Sequence, residues 1–218
     1  VDGEVITNNG GRLVGGVHVF DGDDDVIDAQ VLGQALRIGH AMLAAVPAGH
    51  QQTMHMFGAD VGFMGGNGIV GAQAPLALGL AWSIHYRGGD QVCVCFLGDA
   101  AVNQGAFHES MNMAAIWTLP VIYVVENNAY GMGTAFSRVS DTEMTQKAAS
   151  HGVPATAVDG QDVLATYAHF EALVESVRNG AGPQFVDVQC YRFKGHSMSD
   201  PVSGTYRSRE EVNDRTEN

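Results

Sequence analysis

The stretch QVCVCFLGDAAVNQGAFHESMNMAAIWTLPVIYVVENNAYGMG, residues 91–133, decides the fold. It holds two unbroken apolar runs, QVCVCFL (91–97) and PVIYVVE (120–126). Strands covered on both sheet faces read in this continuous way, whereas half-exposed strands alternate. Between the runs, residues 103–117 show helical apolar spacing, so the stretch predicts strand, helix, strand. A helical crossover between two buried strands makes them parallel neighbours, with a right-handed connection. Cys93 and Cys95, two positions apart, share one face of the first strand.

The same alternation continues outward. Gly71–Tyr86 reads as a mostly apolar helix closed by Gly-Gly-Asp, Asp162–Asn179 as an amphipathic helix, and PQFVDVQCYRF (183–193) as a further strand. Strands alternating with helices predict an α/β fold, an open and mostly parallel sheet with helices on both faces. Residues 1–50 differ. Short β-type runs at Glu4–Thr7 and Arg12–Phe20 are broken by Asn-Asn-Gly-Gly and by the acidic loop Asp21–Asp25, and helical spacing follows over Ala29–Val46. The acidic loop reads as a solvated turn, because the position an EF-hand gives to its bidentate glutamate is Leu32. The expected division is an atypical N-terminal segment, 1–50, and an α/β domain, 51–218.

With 218 residues, 45% of them hydrophobic, the chain can bury a sizeable core. Its 24 acidic and 11 basic residues give a formal charge of −13, which removes the electrostatic footprint of a nucleic-acid or anionic-membrane binder. An anionic ligand must then be held locally, by backbone amides or a metal. The three cysteines have no CxxC spacing or histidine pair beside them, which predicts reduced thiols and no zinc. No segment is long and apolar enough for a membrane span, and no signal peptide with a basic start is present. The expected location is inside the cell, not secreted. The first residue is Val rather than Met, which suggests a processed product or a fragment.

Two glycine signals must be separated. GNGIVG (66–71) fits the GxGxxG pattern, with Asp90 near the place of a ribose-binding acid. That pattern needs a buried strand directly before it, and the glycine-interrupted HMFGADVGFMG is not expected to form one, so a nicotinamide enzyme is a weak alternative. The second signal sits where open α/β sheets collect ligands, beyond the carboxyl ends of the strands. Asp99 follows the first strand and Asn128 the second, and the crossover brings these ends together. A carboxylate, an amide oxygen and a turn carbonyl are hard donors suited to magnesium or calcium. Gly98-Asp99-Ala100-Ala101 leads into a helix start whose amides favour phosphate, so metal and amides together would hold a diphosphate.

These residues resemble the thiamine-diphosphate motif, Gly-Asp-Gly followed at a distance by Asn-Asn, in the form carried by the alpha subunit of the decarboxylating component of 2-oxo-acid dehydrogenases. GGNGIVGAQ (65–73), NQGAFHESMNMAAIW (103–117), ENNAYGMGT (126–134) and YRFKGHSMSDP (191–201) match in order, with wording closest to the pyruvate-specific members. The resemblance runs from Met54 to the end. It implies that Asp99, Asn128 and the main-chain carbonyl of Tyr130 ligate Mg²⁺, and that Ala100 and Ala101 give amides to the diphosphate. It also implies that Gly68 and Val70 meet the aminopyrimidine end, and that His196 touches the diphosphate and serves acyl transfer. The activity implied is oxidative decarboxylation of pyruvate with acyl transfer to a lipoyl group. The partners implied are a beta subunit in an α₂β₂ heterotetramer, without which the chain is inactive, and the lipoyl domain of the acyltransferase component. A bacterial cytoplasm or a mitochondrial matrix is the implied compartment. Ser197 and Ser199 resemble loop serines phosphorylated in mitochondrial members, where added negative charge near an anionic cofactor would inhibit.

The chain departs from the pattern in four places. Ala100 replaces a glycine, which is tolerable if its backbone is helical and costly if φ is positive. Gln52 and Thr53 replace small residues, VSGTYRSREE (202–211) is longer than usual, and residues 1–50 lack an aromatic-Arg pair that grips the diphosphate in the family. A second reading is therefore a non-catalytic or truncated member with weak cofactor binding.

Overall fold

The computed structural model describes residues 16–20, 62–66, 68–193, 195–196 and 207–217. The expected strand Glu4–Thr7, the helix Ala29–Val46, the acidic loop Asp21–Asp25, Gln52, Thr53 and the two loop serines lie outside the described residues.

A six-stranded sheet organises the rest. In chain order its strands are β1 (Gly16–Phe20), β2 (Phe63–Gly66), β3 (Val92–Gly98), β4 (Val121–Asn127), β7 (Ala155–Asp159) and β8 (Gln184–Gln189); a separate small hairpin pairs β5 (Tyr130–Gly131) with β6 (Thr134–Ala135). The spatial order is β2-β1-β3-β4-β8-β7. β3, β4, β8 and β7 run parallel, while β1 lies antiparallel to both β3 and β2. The open, mostly parallel sheet is thus as expected.

Among the described residues there are five α-helices: α1 (Gln73–Arg87), α2 (Gly105–Ile116), α3 (Met144–Ala149), α4 (Val163–Ser176) and α5 (Arg209–Glu217). Side chains alternate across each strand and so define two cores. Cys93, Cys95, Leu97, Tyr123 and Phe185 pack with residues of α1, α2 and α3, while Val92, Val94, Ile122, Val124 and Val186 pack with Phe170 and Val174 of α4. Helices therefore cover both faces, and Cys93 and Cys95 share one, fully buried. Burial raises both thiols well above their ordinary value. Among the described residues no helix is long and apolar enough to cross a membrane.

Several expected boundaries move. α1 stops where Gly88 adopts φ 66° and its amide turns back to the His85 and Ile84 carbonyls. α4 starts at Val163, capped by Asp162, whose side chain accepts from the amides of Leu164 and Ala165 at 3.0 and 2.9 Å. It ends at Ser176 and runs into a wider turn over Val177–Ala181. β8 ends at Gln189, short of the expected Phe193, and of the strand expected over Arg12–Phe20 the described part, Gly16–Phe20, is a strand. The expectation that the glycine-rich segment before GNGIVG forms no strand is corrected: Phe63–Gly66 does. It is the edge strand, paired antiparallel to β1, where glycine is tolerated, so this is not the central parallel strand of a dinucleotide site.

Candidate functional site

β3 and β4 end level. Gly98 is paired with Glu126, so the chain leaves both strands at neighbouring points of one sheet edge. After Gly98 comes a five-residue 3₁₀ turn, Asp99–Asn103, and only then, past the extended Gln104 (ψ 142°), does α2 begin. The helix expected over 103–117 is thus α2, while the amides near Asp99 belong to a 3₁₀ turn before it rather than to an α-helix start. Asp99 is 2% exposed. Burial is the strongest influence on its carboxyl and raises its pKa; the amides of Asp99 and Ala100 and the Arg192 guanidinium oppose this, and Asp187 adds to it. Ala100 lies within this helical turn and is not among the positive-φ residues, so a methyl in place of glycine strains no backbone there.

After β4 the chain turns sharply. Asn127 donates from Nδ2 to Asp187 Oδ1 at 2.9 Å, and its Oδ1 accepts from the amide of Ala129 at 3.1 Å. Ala129 is left-handed, φ 65°, and the β5–β6 hairpin follows. This returns Gly131 onto the 3₁₀ turn, so closely that a Cβ added at 131 would fall on the Ala100 methyl. Asp187 is 4% exposed, and burial raises its pKa against the hydrogen bonds from Asn127 and Gln189. Burial likewise lifts the Glu126 carboxyl to about 7.

Asp99, Ala100, Ala101, Asn128 and Tyr130 thus converge on one edge. Asp99 Oδ2 and Asn128 Oδ1 are both buried with no hydrogen-bond partner among the described residues. Two orphaned hard oxygens are costly unless a cation or donor meets them, and a divalent metal fits that donor set. It is a mixed set of carboxylate, amide and carbonyl oxygens; among the described residues no three His, Cys, Asp or Glu gather to hold a metal. The Tyr130 carbonyl accepts a long bond, 3.4 Å, from Arg192 Nη1.

Gly68 and His196 do not lie on the two strand ends. The Val70 carbonyl accepts from Gln104 Nε2 at 2.7 Å, which ties the 68–71 segment to the residue that ends the 3₁₀ turn. His196 is half-buried, between Arg192 and Arg207 in the chain. Four residues that organise the edge were not singled out from sequence: Gln104, Asp187, Arg192 and Arg207. Arg192 Nη2 donates to the Met132 carbonyl at 2.6 Å and Arg207 Nη2 to the Asn128 carbonyl at 2.9 Å. The available signal was an acid inside an apolar strand, QFVDVQ, and basic residues flanking the histidine loop in a strongly acidic chain.

Comparison with known proteins shows the family of the chain. The family model described as the dehydrogenase E1 component matches residues 25–218. The pyruvate dehydrogenase E1 component subunit alpha of Rhizobium meliloti is 52% identical over 161 residues, 73% of this chain and 46% of that protein. The protein of the same name from Zymomonas mobilis is 45% identical over 197 residues, 90% of this chain and 53% of that protein. Subunit alpha type I, mitochondrial, from Ascaris suum is 49% identical over 160 residues, 73% of this chain and 39% of that protein. The chain belongs to the dehydrogenase E1 component family. It spans about half the length of the curated relatives it matches.

Proposed function

We propose that the chain acts as the alpha subunit of a pyruvate dehydrogenase, in oxidative decarboxylation of pyruvate with acyl transfer to a lipoyl group. The observation that carries this reading is the pair of orphaned buried oxygens, Asp99 Oδ2 and Asn128 Oδ1, at adjoining strand ends in a chain of this family. In this reading Asp99, Asn128 and the Tyr130 carbonyl hold Mg²⁺, and the amides of Ala100 and Ala101 meet the diphosphate of thiamine diphosphate. Gly68 and Val70 face its aminopyrimidine end. When bound, the cofactor supplies the electron sink for cleaving the carbon–carbon bond next to the keto group.

The chain's own residues bind and orient. The buried carboxylate opposes the charge of the metal, and the small Gly131 lets the hairpin close on the 3₁₀ turn. His196 would touch the diphosphate and serve acyl transfer to the lipoyl group. The domain is carried by residues 51–218, with β1 from the first segment at the sheet's antiparallel side. A beta subunit completes the site in an α₂β₂ heterotetramer, in a bacterial cytoplasm or mitochondrial matrix.

Calorimetry of thiamine diphosphate with Mg²⁺, run with and without a candidate beta subunit, tests this. Binding is expected in at least one preparation and is expected to vanish in Asp99→Ala. No binding in either overturns the reading, and binding untouched by Asp99→Ala overturns the metal assignment.

A further inference from the structure

Arg207 is a cation 9% exposed, and its ion pair is with Glu211, whose side chain is itself 46% exposed. A buried charge on so open a counter-ion must be rewarded by its other neighbours. Its guanidinium carbon lies 3.9 Å from the Tyr191 ring centroid and 4.9 Å from that of Tyr130, so it is packed against two aromatic rings. Nη1 donates to Glu211 Oε1 at 2.8 Å, and Nη2 to the main-chain carbonyl of Asn128 at 2.9 Å. That carbonyl belongs to the peptide joining Asn128 to Ala129, and Ala129 carries φ 65°. Rotation of this peptide would change ψ of Asn128 together with the left-handed φ of Ala129, so the bond from Arg207 restrains the backbone that carries the Asn128 side chain.

We infer that Arg207 is a positioning residue for the metal site: by fixing the Asn128–Ala129 peptide it holds Asn128 Oδ1 toward the cation, and so makes α5 part of the site's support. The inference rests on the proposed Mg²⁺ site. Its geometry is selective for arginine, because a lysine offers no planar fork to serve Asn128 and Glu211 together while stacking on Tyr191.

The test is Mn²⁺ binding followed by electron paramagnetic resonance with thiamine diphosphate present, in whichever preparation, with or without the beta subunit, the wild type binds. Arg207→Ala is expected to weaken Mn²⁺ about tenfold or more, and Arg207→Lys about threefold or more, an intermediate loss. Glu211→Gln loosens α5 but leaves the bond to Asn128, so it is expected to lower the melting temperature with Mn²⁺ affinity within twofold of wild type. If Arg207→Ala does not fold, Arg207→Lys decides alone. Folded Arg207 variants that bind Mn²⁺ within twofold of wild type overturn the inference while the metal site stands. The same holds if Glu211→Gln weakens Mn²⁺ as much as they do. A wild type that binds no Mn²⁺ in either preparation overturns the metal site, and the inference with it.

Discussion

The two strand ends that meet at the candidate site are held in opposite ways. Past β3 the support is local: Asp99 is buried within a 3₁₀ turn and its carboxylate takes the amides of Asp99 and Ala100. Past β4 the support is remote: Asp187 holds Asn127, Arg192 holds the Tyr130 and Met132 carbonyls, and Arg207 holds the Asn128 carbonyl. The locally held end offers a charge. The remotely held end offers neutral oxygens whose direction depends on side chains far along the chain. Damage to the first end should therefore remove ligand affinity with the fold intact, whereas damage to the second should loosen the fold around it and, where it reaches Asn128, weaken the ligand as well.

Asp99→Asn attacks the first end and has the largest expected effect. It keeps the shape but removes the charge, so Mg²⁺ affinity in the presence of thiamine diphosphate is expected to fall at least about a hundredfold, about 2.7 kcal/mol, by calorimetry. Without metal the variant should melt no lower than wild type, because a neutral amide costs less to bury than a carboxylate with an orphaned oxygen. A variant that loses metal and also melts much lower would show that the local end is a structural element first.

Asn127→Ala attacks the second end. It strips Asp187, 4% exposed, of its 2.9 Å donor and leaves the Gln189 contact at 3.4 Å. Urea unfolding is expected to register a loss of about 2 kcal/mol. An unchanged midpoint would mean that the Asn127–Asp187 bond is not what anchors this end.

The difference also explains what the sequence made legible. Asp99 and its turn were readable because the supporting atoms are the next residues along, and β3 and β4 because valine-rich runs have few other ways to be buried. Asn128 was readable only from its place after a strand. Arg207 was not, because it lies in VSGTYRSREE, which fits no repeat, and the reason it matters is a carbonyl 79 residues away in the chain, which leaves no periodicity to read. The split between the 3₁₀ turn and α2 was hidden for a similar reason: the extended Gln104 is tied to Val70, a contact across the chain that overrides local helical preference.

Gly131→Ala tests the contact between the two ends with a smaller effect. Its new methyl would meet the Ala100 methyl, and overpacking at this half-open place is expected to cost about 1–2 kcal/mol in urea unfolding. Ala100→Gly in the same chain removes the obstruction and should recover most of that loss, although it adds backbone freedom of its own. If the double variant is no better than Gly131→Ala alone, the two ends do not touch through these residues.

The smallest expected effect lies on α2, which joins the two ends. His108 Nδ1 and His151 Nε2 are 3.0 Å apart, and burial first, then His151 and Lys147, hold the His108 pKa below its ordinary 6.5. The unfolded chain thus takes this proton at a higher pH than the fold does. Across the window between the two values stability rises with pH; the contribution is complete above 6.5 and is lost as the pH falls through the depressed folded value. His108→Gln keeps a polar partner for His151 but does not titrate. The melting-temperature advantage of wild type over the variant is therefore expected to be greatest above pH 7 and to shrink as the pH is taken toward 5. The change should be small because the pair is only partly buried and solvent screens it. An advantage that grows on acidification would mean that His108 is held by a charge-assisted bond in its protonated form, and α2 would then be anchored more firmly in acid than either strand end it connects.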